Sequence, residues 1–318
     1  MKDVTIIIVS YNTVDVTCEA IQSVYEQTQL IDFELIVVDN NSSDGSPILI
    51  GENFPDLQLI KLDSNIGFAA ANNLAAKRAS GRYILLLNPD TIVLNDAISI
   101  LISWADAHPE WGVYGGRTYY PDGTINPTAG WMKPTVWSMF CSAIGCSKLF
   151  PKSRIFNRES IISWNFNRPR QVDIITGCFF LMRKKDWNKI GGFDHRYFMY
   201  GEDADLCLRA AEVNLNSVLV PEAGIIHYGG ASEKVKSEKI IRLFRAKVQL
   251  FKRHYKSNTA RILICLLYLR CLVRIYIFII TAPFSFRAKA QQQEWISIWR
   301  RRREWVEVVI DTKQKEMD

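Results

Sequence analysis

The chain has 318 residues, 48% of them hydrophobic, which is enough apolar material for one large core or two modest ones. Ordinary glycine and proline content argues against a long disordered segment, and seven cysteines with no C-x-x-C pair and no metal-like spacing favour free thiols in a reducing compartment. The net charge of +6 hides a split: residues 1–233 carry 19 Lys and Arg against 26 Asp and Glu, and residues 234–318 carry 20 against 7. An acidic body with a basic tail points to nucleic acid or an anionic membrane as partner of the tail.

Met1-Lys2-Asp3 runs straight into a short β-branched stretch at 4–9, without the longer apolar run of a secretory signal. The expectation is a first buried strand and a cytoplasmic protein. Val16, Ala20 and Val24 at helical spacing predict a helix over 14–27. A strand is expected at 34–39, a short helix at 47–54, a strand at 57–61 and an alanine-rich helix at 69–79. Four apolar residues at 84–87, in a strand expected at 83–87, suit a central strand buried on both faces, stopped by Asn88 and Pro89 because proline has no N–H for the ladder. A helix at 95–107 and a strand at 111–115 follow. This alternation predicts an α/β fold with a parallel sheet flanked by helices, and right-handed crossovers bring the loop after every parallel strand to one edge.

Those loops are polar. They read Ser10-Tyr11-Asn12, then Asp39-Asn40-Asn41-Ser42-Ser43-Asp44-Gly45-Ser46, then Asn65-Ile66-Gly67-Phe68 with Asn72 and Asn73, then Asn88-Pro89-Asp90. Four such loops converging on the carboxyl edge of a sheet make a candidate site. Asp90 is either an Asx-turn residue or a carboxylate that grips a divalent cation and, through it, phosphate oxygens. No G-x-G-x-x-G or P-loop motif follows any strand, so a dinucleotide fold and a P-loop NTPase lack support.

Residues 117–170 are less regular. Pro121-Asp122-Gly123-Thr124 marks a hairpin tip. Trp131, Trp137, Phe140, Phe150, Phe156, Trp164 and Phe166 then stand among Lys and Arg, as a partly packed insertion or a mobile flap that receives a lipid-linked acceptor. Strand-like runs return at 172–183 around Gly177, and a helical turn at 184–190 ends in Gly191-Gly192. Glu202, Asp203 and Asp205 precede a helix expected at 206–213. They either cap it through the helix dipole or hold a base whose protonation its neighbours tune. His227 follows a strand-like stretch at 218–220, with Gly230 and Ser232 downstream.

From 237 onward the pattern is helical and basic. The apolar stretch 261–286 is broken by Arg261, Arg270 and Arg274, and its longest uncharged runs, 262–269 and 275–286, are short of a membrane span. Arg300 to Arg303 beside Trp295, Trp299 and Trp305 have the composition of a segment in the lipid interface; a solvated charged face or an RNA-binding tail are the other readings.

Taken together, Val9-Ser10-Tyr11-Asn12, the Asp39–Ser46 loop, Asn65-Ile66-Gly67-Phe68, Asn88-Pro89-Asp90-Thr91, Gly192-Phe193-Asp194 through Tyr200-Gly201-Glu202-Asp203, and His227-x-x-Gly230-x-Ser232 resemble the family 2 glycosyltransferases. Within them the chain is most similar to the rhamnosyltransferase-like branch that builds O-antigen, capsule and cell-wall polysaccharide. The resemblance covers about residues 4–232. It implies a GT-A fold: a nucleotide-sugar-binding α/β half at 1–116, an acceptor-binding and catalytic half at 117–235, and a helical basic tail at 236–318 that meets an anionic membrane through 257–305. It implies an inverting transferase that uses Mg²⁺ or Mn²⁺ and moves rhamnose from dTDP-rhamnose to a hydroxyl of a lipid-linked glycan, on the inner face of the cytoplasmic membrane and without nucleic acid as partner. A UDP- or GDP-sugar donor, or an inactive nucleotide-sugar-binding scaffold, are the alternatives. By motif position Ser10, Tyr11, Asn12, Asp39, Asn41, Asn65, Gly67, Asn88 and Asp90 would contact the nucleotide sugar. Gly177, Tyr200 and Glu202 would face the acceptor, Asp90 and His227 would hold the metal, and Asp203 would be the general base. Asn88 stands where the family's D-x-D site has its first acid, which removes one anionic ligand. A processive synthase lacks support, because neither a Q-x-x-R-W motif nor a spanning helix is expected.

Overall fold

Seven consecutive buried residues form β1 (Val4–Ser10), which pairs in parallel with β2 (Phe33–Asp39) on one side and β4 (Tyr83–Leu87) on the other. Between them run α1 (Val14–Gln27), α2 (Ser46–Asn53), β3 (Gln58–Lys61) and α3 (Phe68–Arg78). Val4, Ile6 and Ile8 point to one face of β1 and meet Ala20, Ile21 and Val24 of α1 in the main core, so the period-2 strand pattern and the helical stripe serve one layer. Complete burial of an isoleucine such as Ile6 contributes about 1.5–3 kcal/mol. The computed structural model describes residues 2–229 and 236–307.

Past β4 the sheet becomes mixed. A short β5 (Thr91–Val93) and α4 (Ala97–Ala107) lead to β6 (Val113–Tyr119), which runs four residues beyond the stretch expected from sequence. The Pro121–Thr124 turn is a hairpin tip as expected, closing β6 on β7 (Ile125–Asn126) before β8 (Gly130–Trp131). The chain leaves for α5 (Val136–Ile144) and α6 (Cys146–Leu149), then returns as β9 (Arg170–Val172), β10 (Ile174–Ile175), β11 (Phe179–Arg183), α7 (Lys184–Ile190), α8 (Glu202–Glu212) and β12 (Ser217–His227). The strand order is β3-β2-β1-β4-β11-β6-β12-β5, with β11 antiparallel to both β4 and β6. β12 carries an irregularity between Val220 and Gly224 and then pairs with β5, placing His227 opposite Thr91.

The chain divides into two compact units, one of residues 1–133 with 160–232 and one of 134–159 with 233–318. The boundary expected at 116 is not where the division falls, because β6 runs through it, β7, β9, β11 and β12 join the same sheet, and β8 pairs with β10 in a small second sheet of the same unit. The aromatic stretch 134–159 belongs with the carboxyl-terminal helices.

In the second unit α5 opens with a capping box, Thr135 and Ser138 exchanging hydrogen bonds. The basic tail is helical as far as it is described: α9 (Lys236–His254), α10 (Ser257–Thr281), a 3-10 turn at Ala282–Phe284, α11 (Phe286–Arg300) and α12 (Arg302–Val306). Phe244, Val248, Phe251, Leu263, Leu267, Ile298 and Trp305 form its core. Residues 308–318 of the expected tail lie outside the described residues. One expectation is corrected here. Ser257–Phe284 is a continuous helical stretch long and apolar enough to cross a membrane by length and composition, since the helix carries through the arginines that interrupt the apolar runs of the sequence.

Candidate active site

The site is assembled at the carboxyl edge of the first unit's parallel strands. Ser10 ends β1 fully buried, its hydroxyl within reach of Thr13 Oγ1 (3.3 Å) and Thr17 Oγ1 (3.0 Å), so it braces the loop from beneath. Tyr11 is exposed. Asn12 adopts a left-handed backbone (φ 52°) and its Oδ1 accepts from Ser43 N at 2.7 Å, while Ser42 Oγ accepts from Asn12 N at 3.0 Å. The loops after β1 and β2 are thereby stitched together.

Asp39 closes β2 almost fully buried; its Oδ2 accepts from Ser42 N at 3.0 Å and its buried Oδ1 has no hydrogen-bond partner. Asn41 is exposed and left-handed (φ 67°). The neighbouring Asn40, which sequence reasoning quoted only as part of the loop, does the linking. Its amide donates to Asn65 Oδ1 (3.0 Å) and its carbonyl accepts from Ile66 N (2.9 Å), joining the loops after β2 and β3. Asn65 Oδ1 also accepts from Gly67 N at 3.0 Å.

Gly67 reaches across to the acidic loop. A Cβ there would lie 2.5 Å from Phe198 O, and its φ of +85° is open to glycine, so only glycine lets the strands of chain approach this closely. Phe68 N then donates to Phe198 O at 2.8 Å. A second tie, also missed from sequence, is reciprocal: Asn73 Nδ2 donates to Phe193 O (2.8 Å) and Asn73 Oδ1 accepts from Phe193 N (2.9 Å). The cluster of Asn in a helix otherwise made of Ala was the available signal, since two buried amides in an apolar helix need partners.

Tyr200 (φ 72°) and Gly201 (φ 87°) turn left-handed into α8, which begins at Glu202, four residues earlier than expected from sequence. Glu202, Asp203 and Asp205 therefore lie inside its first turn, where the dipole favours negative charge. They divide by partner. Asp205 pairs with Arg209 at 2.7 Å, and that guanidinium also donates to Ile190 O and Gly192 O, a bracing role. Asp203 Oδ2 accepts from Gly177 N (3.1 Å) and Oδ1 from Ala204 N (2.7 Å). Glu202 Oε2 is buried without a hydrogen-bond partner. Burial raises the pKa of Asp203 against the pull of its two N–H donors, and burial followed by the Asp203 charge pushes Glu202 up to about 8. Both carboxyls thus resist ionising together, and the two N–H donors on Asp203, against none on Glu202 Oε2, favour the charge on Asp203.

Asp90, just past the end of β4, meets His227 at the end of β12. Asp90 Oδ1 is 3.3 Å from His227 Nε2, and Asn88 Nδ2 is 3.4 Å from the same nitrogen. Burial raises the Asp90 pKa, but the hydrogen bond and charge of His227 win and hold it below the usual value. His227 is lowered by burial, then lifted further by Cys178 and Asp90, to about 10. His227 is the last residue of β12, and its position beside β5 rather than the histidine itself places it here. The other residues of its motif, Gly230 and Ser232, lie outside the described residues.

Gly177 and Cys178 join the two acidic ends. Gly177 N holds Asp203, and Cys178 O accepts from Asn88 N at 3.1 Å. Nothing in the sequence marks Cys178. Among the described residues no three His, Cys, Asp or Glu side chains gather into an all-protein metal cage. One carboxylate and one imidazole in contact, with His227 Nδ1 buried and lacking a hydrogen-bond partner, instead fit an open site for an ion whose other ligands come from phosphate and water.

The fold is shared with a mannosyltransferase from Pyrobaculum calidifontis solved in complex with GDP-Man and Mn²⁺, at TM-score 0.55 and 16% identity over 99% of this chain and 90% of that one. This likeness establishes the GT-A architecture that the sequence resemblance implied. The N-acetylglucosaminyl-diphospho-decaprenol L-rhamnosyltransferase of Mycobacterium tuberculosis is 26% identical over 61% of this chain and 66% of its own. The rhamnosyltransferase WbbL of Escherichia coli is 28% identical over 51% and 61%. The chain thus spans somewhat under two thirds of the length of these curated relatives. Residues 158–230 match a model described as the N-terminal domain of galactosyltransferase. Residues 5–191, more than half of the sequence, match the model of glycosyl transferase family 2, and the chain belongs to that family.

Proposed function

We propose that the protein is an inverting, metal-dependent glycosyltransferase that moves a sugar, rhamnose from dTDP-rhamnose, to a hydroxyl of a lipid-linked glycan. The supporting observation is the Gly177-Cys178 link: adjacent residues fix Asp203 through an N–H and Asn88, two residues from Asp90, through a C=O. An acid fit to accept a proton and a pair fit to face a diphosphate are thereby tied to two adjacent residues. The relatives named as rhamnosyltransferases support the donor sugar, and the one named for a diphospho-decaprenol compound supports a lipid-linked acceptor.

In this reading Asp39, whose buried Oδ1 has no hydrogen-bond partner, receives an N–H from the nucleobase. Tyr11, Asn12, Asn41, Asn65 and Gly67 line the nucleotide pocket, with Ser10 supporting them from below. Asp90 and His227, with Asn88 beside them, would hold Mg²⁺ or Mn²⁺, which supplies charge neutralisation for the departing diphosphate. The acceptor hydroxyl enters past Gly177 and Tyr200 and loses its proton to Asp203 as it attacks the anomeric carbon opposite the leaving group. Asp203 is the member of the acid pair whose charge two N–H donors favour, and Glu202, lifted by burial and by the Asp203 charge, resists a second charge beside it. One displacement of this kind inverts the anomeric centre and needs no enzyme nucleophile. The tail, through 257–305, associates with the inner face of the cytoplasmic membrane. No nucleic acid takes part.

Replacing Asp203 by Asn tests the assignment. Sugar transfer is expected to fall about 10²–10⁴-fold, while calorimetry shows the nucleotide sugar bound as before. Wild-type turnover in that variant would remove Asp203 as the base.

A further inference from the structure

The helix that is long and apolar enough to span a bilayer is packed along one stripe of its first half. Ala260, Leu263, Leu267 and Cys271 recur at helical spacing along α10 and are buried in the core of the second unit. That stripe of full burial ends at Cys271. Beyond it Leu272, Tyr276, Ile277, Ile279, Ile280, Phe284 and Phe286 are exposed, the last two 88% and 90% so. The chain then turns through Ala282–Phe284 and returns along α10 as α11, whose Trp295 and Ile298 are buried in the same core. The result is a helical hairpin with its base packed and its tip bare. An exposed apolar patch of this size marks an interaction surface.

We infer that the hairpin tip, residues 275–286, is a wedge that enters one leaflet of an anionic bilayer without crossing it. The inference rests on the membrane association proposed above and specifies its mode. The length of the unpacked part decides against a span. Residues 275–281 are the helical part of the uncharged tip, and seven residues at 1.5 Å each reach about 10 Å, against roughly 30 Å of hydrocarbon. A depth of about 5–10 Å is that of a segment lying at the boundary of headgroups and chains. Charge decides the lipid. Arg274 and Arg287 bracket the uncharged run with Lys289 just beyond, and residues 239–293 contain no Asp or Glu at all. The second apolar rim of this unit lies toward the same end. α5 runs alongside α10 in the same direction, since Tyr255 Oη donates to Pro134 O and Arg270 to Ser142 Oγ (3.0 Å). Exposed Leu149 and Phe150, at 74% and 51%, follow Ile144 past the carboxyl end of α5, with Lys148 and Lys152 adjacent in sequence.

The test uses the full chain and vesicles of phosphatidylglycerol and phosphatidylethanolamine in equal parts. Ile280→Asp with Phe284→Asp is expected to lower vesicle co-sedimentation at least tenfold, with an unchanged circular dichroism spectrum and unchanged sugar transfer to a water-soluble acceptor. That last measurement separates failure of the wedge from failure of the enzymatic reading. In a second variant, Ser285→Cys with Cys265→Ser, an impermeant maleimide is expected to modify residue 285 in free protein and to be blocked once vesicles are added. Modification from outside intact spheroplasts would mean a span, and equal modification with and without vesicles would mean a tip outside lipid. Either result overturns the inference, as does undiminished sedimentation of the double variant.

Discussion

Glu202→Gln separates the two buried acids and predicts a pH dependence of stability. Burial and the charge of Asp203 move the Glu202 carboxyl from 4.5 to about 8. Between those values the folded chain retains a proton that the unfolded chain has released. Stability therefore falls as pH rises: the contribution is fully present below about 4.5 and gone above about 8. The slope for one proton is at most about 1.4 kcal/mol per pH unit, or roughly 5 kcal/mol across the window. Glutamine mimics the protonated acid and cannot ionise, so it removes this slope while leaving Asp203 in both proteins. Thermal melts of the two proteins from about pH 5 to pH 8 read the difference, with about 2–4 °C expected per kcal/mol. The wild type should lose several degrees relative to the variant as pH rises. Melting curves that stay parallel over the whole range would show that Glu202 carries no displaced proton, and the assignment of the charge to Asp203 would fall with it.

At the proposed metal site Asn88→Asp supplies a second anionic ligand and should tighten Mn²⁺ binding at least tenfold by isothermal titration; unchanged affinity would take Asn88 away from the ion. Gly67→Ala places a Cβ 2.5 Å from Phe198 O at a φ of +85°, and should cost about 1–3 kcal/mol in urea unfolding together with a loss of kcat. Arg209→Met removes the guanidinium from fully buried Asp205 and should destabilise by about 3–5 kcal/mol, with the donor affinity of the protein that remains folded unaltered. Ser10→Ala should lower stability by about 1 kcal/mol and leave the donor KM unchanged, because the hydroxyl is buried among Thr13 and Thr17.

The first four parallel strands were legible because their apolar runs are short, β-branched and separated by helices with clear periodicity; α1, β4 and α7 begin and end where the sequence places them. What lay outside the pattern was long-range. β11 inserts antiparallel between β4 and β6, and no local propensity specifies a partner nearly a hundred residues away. β12 extends seven residues beyond the expected stretch through an irregularity, which is why His227 reads as loop in sequence and sits at a strand end in space. The acids of α8 were legible as a group, but their separate roles depend on which backbone amides meet them, and those belong to Gly177 and to the helix's own first turn. The apolar stretch after 257 was misjudged because a tally of uncharged residues ignores that a helix continues through an arginine.

The hinge-free junction at Gly177-Cys178 has a mechanical corollary. Since Asp203 hangs from one residue and Asn88 from the next, any sliding of β11 carries both along together and leaves the gap between them nearly constant. A substitution that shifts this strand should therefore degrade donor affinity and turnover in proportion, as though the whole jaw had been displaced, while substitutions in the Phe198 loop should move the two quantities independently.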